Sequence, residues 1–198
     1  EASKALAELA DPTTLDALVG ACGDEYWAVR AHAGRAVARI GGAKAVEAII
    51  VLFNDSIMDV RNDAVAAMAS MGAAVVDRLI TALKDERWRV REHAAKTCGE
   101  IKDQKAVEAL MLVCRDRDGA VKSAAAEALG KIGDPRAIPA LIKLFRDPSK
   151  TVRETAGTAL IFIGQPSVDP LLECLKDKDF VVRCHAARAL GGMTTDYQ

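Results

Sequence analysis

The chain has 198 residues, 51% of them hydrophobic and 28% charged, with a formal net charge of -1. That is enough apolar material for a continuous core, while the near-zero net charge removes the broad electrostatic attraction on which nonspecific binding to nucleic acids or membrane surfaces relies. The best candidate for a membrane span, around Val46 to Phe53, is interrupted by Glu47 and ends at Asn54, too short to cross a bilayer; with no signal-peptide pattern at the start, a soluble cytoplasmic protein is expected.

One pattern organises the chain: Asp, five residues later Val, then Arg or Lys. It recurs at Asp24/Val29/Arg30, Asp55/Val60/Arg61, Asp85/Val90/Arg91, Asp116/Val121/Lys122, Asp147/Val152/Arg153 and Asp177/Val182/Arg183, with steps of 31, 30, 31, 31 and 30 residues between the valines. A fixed period of this size marks stacked repeats, each of which buries its apolar face only against a neighbour. A single solenoid over 1–198 is expected, with repeats at 11–41, 42–72, 73–102, 103–133, 134–164 and 165–198.

In chain order, Ala5 to Ala10 aligns with Ala36 to Gly41, so residues 1–10 are expected to be the tail of a second helix, and the chain a segment of a longer array. Apolar spacing then predicts first helices near 12–22, 43–53, 74–84, 104–114, 135–145 and 166–176, and second helices near 25–40, 56–71, 86–101, 117–132, 148–163 and 178–192. Asp134-Pro135 and Asp147-Pro148 look like N-caps followed by proline at the first helical position, and Gly41, Gly72, Gly133 and Gly164 look like the glycines that close second helices. Lys102 breaks that rule. The two shortened periods lie between Gly72 and Ile80 and between Gly164 and Leu172, in connections that a repeat array tolerates.

The five cysteines are odd in number and lack paired spacing, which suits a reducing compartment. Cys22 and Cys114 share a repeat position with Phe53, Leu83, Phe145 and Leu175; Cys98 shares one with Val37, Met68, Leu129, Leu160 and Leu190. Both positions read as core, as does Cys174, whereas Cys184 stands where other repeats are polar.

The phrase Asp134-Pro135-Arg136-Ala137-Ile138-Pro139-Ala140-Leu141-Ile142, followed by Asp147-Pro148 and Val152-Arg153, resembles the short, armadillo-like HEAT repeats first associated with phycobilisome lyases. The resemblance covers essentially the whole chain. It implies an all-α, right-handed α-α superhelix (a HEAT-like solenoid) of about six helix pairs plus one leading partial helix, in which the repeated Asp and Arg form a hydrogen-bonded ladder between adjacent units. Lys122 departs from it and is expected to make a weaker, non-bidentate link. The family's members range from scaffolds and lyase subunits to a metal hydroxylase, so the resemblance carries fold far better than function.

On a helical wheel of the first repeat's second helix, Val29, Ala33, Ala36, Val37 and Ile40 form the expected buried side; Trp27, Ala31 and Arg35 lie opposite, with His32 and Arg39 toward the edge. In the resembling family that outward side lines the concave surface. Three repeats carry aromatic, His and basic residues there: Trp27/His32/Arg35, Trp88/His93/Lys96 and Phe180/His185/Arg188; others carry Met58/Asp63/Ala66, Gly119/Ala124/Glu127 and Lys150/Thr155/Thr158. Stacking does not require such variation, so Trp27, His32, Arg35, Arg39, Met58, Asp63, Trp88, Arg89, His93, Lys96, Phe180, His185 and Arg188 form the candidate partner-binding set, for a protein or peptide that bears acidic groups. The alternative is that each aromatic covers its helix start and each base is merely solvated.

Chemistry finds little support. His32 and His93 are two repeats apart, about 20 Å for helices packed 8–10 Å apart, beyond the reach of one metal ion. The His-Glu pairs of the iron-dependent deoxyhypusine hydroxylases are replaced by His32-Ala33, His93-Ala94 and His185-Ala186. Cys184 and His185 adjoin, but neighbouring helix residues diverge by about 100°. No phosphate-cradling loop or Cys-x-x-Cys is present, and no cofactor is implied. The expectation is a noncatalytic interaction scaffold; a bilin-lyase-like subunit or maturation factor is the alternative, and nucleic-acid binding through Arg35, Arg39, Arg89, Lys96, Lys131 and Arg188 a lesser one.

Overall fold

The computed structural model describes residues 12–193, and the expected leading helical tail of residues 1–10 lies outside them. The described residues are helices joined by short turns, with no strand among them. They are α1 (Pro12–Ala21), α2 (Trp27–Ile40), α3 (Ala43–Leu52), α4 (Met58–Ser70), α5 (Val76–Ala82), α6 (Trp88–Ile101), α7 (Val107–Val113), α8 (Gly119–Ile132), α9 (Ile138–Lys143), α10 (Lys150–Ile163), α11 (Val168–Cys174) and α12 (Phe180–Met193). First and second helices alternate as the period requires. The described residues form two compact units that divide between Thr97 and Cys98, within α6.

The second helices begin two residues later than expected, for one reason repeated six times. The Oδ1 atoms of Asp24, Asp55, Asp85, Asp116, Asp147 and Asp177 accept from the backbone N–H two residues on. Each Asp thereby folds a turn that holds the next residues extended. Asp147 is therefore not the N-cap of α10; Ser149 is. Asp134 does behave as expected, accepting from Arg136 N ahead of the 3₁₀ turn Pro135–Ala137. Similar 3₁₀ turns, Gly72–Val75, Gln104–Ala106 and Gln165–Ser167, open three other first helices.

The second helices end as glycine predicts: Gly41, Gly133 and Gly164 have φ of 79°, 75° and 79°. Gly72 (φ 66°) lies one residue beyond the α4 cap, Met71. Lys102 takes the same left-handed region, at φ 58°, without being a glycine.

In the first unit, α2 packs against α1, α3 and α4. Phe53, Ile49, Leu52, Met68 and Leu79 are fully buried, each such side chain contributing on the order of 2 kcal/mol. The wheel needs correction here. Val29 is exposed, although its counterparts Val60, Val90, Val121, Val152 and Val182 are fully buried, and Ala31, expected outside, is buried. A second helix is flanked by both adjoining repeats. Gly34, on the same flank as Ala31 and Ala38, lies so close to Leu52 that a Cβ would sit 2.7 Å from its Cδ1, so this flank faces the following repeat, and Val29 lies on the opposite side of the helix.

In the second unit, α10 packs against both α8 and α12. The approach of α8 to α10 depends on Gly130, where an added Cβ would lie 2.7 Å from the Ala159 Cα. Phe145, Leu129, Leu141, Leu160 and Leu171 fill the core. Cys98 and Cys114 are buried as expected, and burial pushes both thiols up to about 12. Cys22 is buried, Cys174 half-buried and Cys184 exposed.

Candidate interaction surface

The Asp turns that start the second helices also lie beside exposed apolar side chains. In the first unit they hold Tyr26 and Ile57 extended at the N-caps of α2 and α4, and these side chains and the following Trp27 and Met58 are exposed. Trp27 is 50% exposed, Met58 62% and Trp88 39%, at one position of three consecutive repeats. The Arg89 guanidinium carbon lies 4.8 Å from the Trp88 ring centroid, a cation–π contact. Sequence reasoning missed Tyr26 and Ile57. Their signal is visible afterwards, since the same position holds Arg87, Asp118, Ser149 and Asp179 in the other repeats.

The bases on this unit are mostly neutralised within the chain. Arg35 Nη1 lies 3.1 Å from Asp63 Oδ2, and Lys96 Nζ donates to Glu92 Oε1 at 2.7 Å. Arg39 is exposed in the last turn of α2. His32 is exposed, its Nδ1 2.6 Å from the Ala28 carbonyl oxygen.

His93, expected on the same surface, is only 2% exposed. Its ring lies 6.1 Å from that of Phe53, which ends the first helix of the preceding repeat, and its Nδ1 is 2.7 Å from the Arg89 carbonyl oxygen. It belongs to the packing between repeats. Burial depresses its pKa, and the nearby charges of Lys96 and Arg61 add to the effect against the opposing pull of the Arg89 carbonyl and Glu92.

The second unit holds Phe180, exposed at the start of α12, with His185 and Arg188 on the same helix. Arg188 Nη1 donates to Glu154 Oε1 at 2.8 Å, and Lys131 pairs with Glu100 and Glu127. His185 repeats the arrangement of His93: its ring stacks 5.6 Å from Phe145. Arg153 Nε donates to its Nε2 at 3.2 Å. Burial first, and the Arg153 charge second, depress the His185 pKa. Phe53 and Phe145 are the only phenylalanines at their repeat position, and each precedes a repeat with a buried or half-buried histidine, a correlation legible in the sequence but not drawn from it.

The expected ladder is present in part. Arg30 grips Asp55 with two nitrogens, Nε at 2.6 Å and Nη2 at 2.9 Å, whereas Lys122 reaches Asp147 with its single Nζ. Arg61 makes no such link to Asp85, and its Nε is buried without a hydrogen-bond partner; Asp85 is held by Arg87, and Asp177 by Arg146. The sequence pattern did not show a second use of the arginine. Nη1 of Arg30, Arg61, Arg91, Arg153 and Arg183 donates to two carbonyls of its own Asp turn, as the planar fork of a guanidinium allows.

No three His, Cys, Asp or Glu residues among those described are grouped to hold a metal ion, and no single described helix is long and apolar enough to cross a membrane.

A family model described as HEAT repeats matches residues 1–69, 76–161 and 138–197. No curated protein sequence matches the chain. Among solved structures, the complex of CpcE and CpcF of phycocyanin lyase from Nostoc sp. PCC7120 is similar at 23% identity and a TM-score of 0.61, over 74% of this chain and 98% of that one. A structure of Kap95p bound to RanGDP aligns at 16% identity and a TM-score of 0.63, over 92% of this chain and 31% of that one. A Kap121p mutant aligns at 12% identity and a TM-score of 0.68, over 96% and 27%. At these identities the likeness is one of fold.

Proposed function

Since the chain belongs to the HEAT-repeat family, we propose that it is a noncatalytic scaffold that holds a protein partner, and that Tyr26, Trp27, Ile57, Met58 and Trp88 of the first unit are its principal contacts. The observation that carries this reading is their exposure: five large apolar side chains across three consecutive repeats, on helix starts where stacking does not need them. Trp and Tyr are the residue types that anchor interfaces. Helices of adjacent repeats lie about 8–10 Å apart, and a polyproline II chain has three residues per turn and advances about 3.1 Å per residue. The fitting ligand is therefore a polyproline II segment with an apolar side chain at every third position. Acidic groups on that partner would compete with Asp63 and Glu92 for Arg35 and Lys96, so apolar contact, not charge, leads recognition. The same pairing leaves few uncommitted bases for nucleic acid.

The test is to isolate the partner from native extract, then measure its affinity for Trp27→Ala and Trp88→Ala proteins alongside their unfolding. Affinity reduced about tenfold or more, as for interface aromatics, with a preserved fold supports the reading; unchanged affinity in both removes it. A lyase-associated role is the second reading, favoured by the fold shared with a chain of the CpcE and CpcF complex over nearly that chain's full length. A new visible absorbance band after mixing with bilin and apoprotein would select it.

A further inference from the structure

The one repeat with lysine in place of arginine also borders a groove in the second unit. In the other five repeats the guanidinium fills the space above its own turn and bonds two carbonyls there. Lys122 sends its one nitrogen to Asp147 instead. Beside it opens a groove of about 430 Å³, walled by α7, α9 and the adjoining turns, within the size range of small-molecule sites.

The floor of the groove is apolar. It includes Met111, Leu144 and Leu112, the last 66% exposed on the surface of a seven-residue helix. The carboxylates on the rim are engaged: Glu108 by Arg136 at 3.3 Å, Asp147 by Lys122, and Asp116 through the turn N–H of Asp118. Arg115 and Lys143 also line the groove, both exposed and neither in an ion pair among the described residues. Uncommitted positive charge beside an apolar floor complements a ligand with one anionic end and a hydrocarbon body.

We infer that this groove is a binding site for an amphipathic carboxylate of the fatty-acid type, its chain over Leu112 and Leu144 and its carboxylate between Arg115 and Lys143. This site is independent of the aromatic row in the first unit.

The test is calorimetric titration of the full chain with sodium decanoate below its micellar concentration, with 1-decanol as the uncharged comparison. Expected are one decanoate per chain and affinity at least about tenfold lower for 1-decanol and for Arg115→Glu/Lys143→Glu, since charge-assisted contacts exceed 1.4 kcal/mol. Circular dichroism melting verifies that each variant is folded. Absence of decanoate binding, equal affinity for 1-decanol, or undiminished binding by Arg115→Glu/Lys143→Glu overturns the assignment. So does a self-associating chain dispersed by Leu112→Glu but not by decanoate, which would give the groove to a second copy.

Discussion

Arg153 donates to His185 Nε2, the imidazole taking the arginine that would otherwise reach toward Asp177. Arg61 likewise makes no link to the next Asp: its charge bears on His93 without a hydrogen bond from its Nε, while Asp85 pairs with Arg87. Both cases fall at the shortened steps of the repeat, where the cation and the next Asp are one residue closer in sequence than Arg30 and Asp55 or Lys122 and Asp147. His185 must be neutral there, because its Nε2 accepts from a guanidinium and a protonated ring has no lone pair to offer, and burial favours the neutral form of both His93 and His185.

That requirement gives stability a pH dependence. The folded-state pKa of both His93 and His185 is depressed, by burial above all, so between the folded and unfolded values the unfolded chain binds more protons and stability rises with pH. Their contribution is fully present above the ordinary histidine value of about 6.5 and is lost as pH falls below it. Urea midpoints measured from pH 8 to pH 5 should decline for the native chain and decline less for His93→Gln/His185→Gln; equal declines would refute the assignment.

The partial ladder predicts unequal costs for equivalent aspartates. Asp55→Ala leaves the largely buried Arg30 without its bidentate partner and should cost about 3 kcal/mol. Asp85→Ala removes a turn and a half-exposed pair with Arg87, and should cost about 1 kcal/mol. Denaturant unfolding of the two variants would reveal whether they differ in this order.

Lys102 has the left-handed backbone that glycine adopts at equivalent helix ends. Replacing it with glycine should stabilise the chain by about 1 kcal/mol, since the Cβ penalty disappears. A rise in thermal midpoint for Lys102→Gly, and a fall for Gly133→Ala, are the expected results.

Gly130 should behave in the opposite sense to its helix propensity. Alanine ordinarily gains about 1 kcal/mol over glycine inside a helix, but here its methyl would meet the backbone of Ala159 at 2.7 Å. Forced separation of α8 from α10 should cost about 1–3 kcal/mol net, readable as a lowered denaturant midpoint.

Trp27 and Trp88 project from first turns rather than fill the core, so their truncation to alanine should cost less than about 1.5 kcal/mol of stability each, well below the 3–5 kcal/mol typical of a buried aromatic. Larger losses in equilibrium unfolding would return both residues to structure.

Much of this protein follows from a periodic sequence alone: the helix pairs, the glycines with positive φ, the buried Cys98 and Cys114, and membership in a repeat family. Those features are local, set by 3.6-residue apolar spacing and by what a backbone conformation permits. Tertiary structure decided the rest. His32 and His93 occupy one motif position, yet one is exposed and the other is buried beneath Phe53; Arg30 and Arg61 share a motif, yet only the first grips the next aspartate. A single helix wheel cannot distinguish these pairs, because burial of a second helix depends on helix pairs arriving from both adjoining repeats, and one residue more or less in a connection changes which side chain each cation meets.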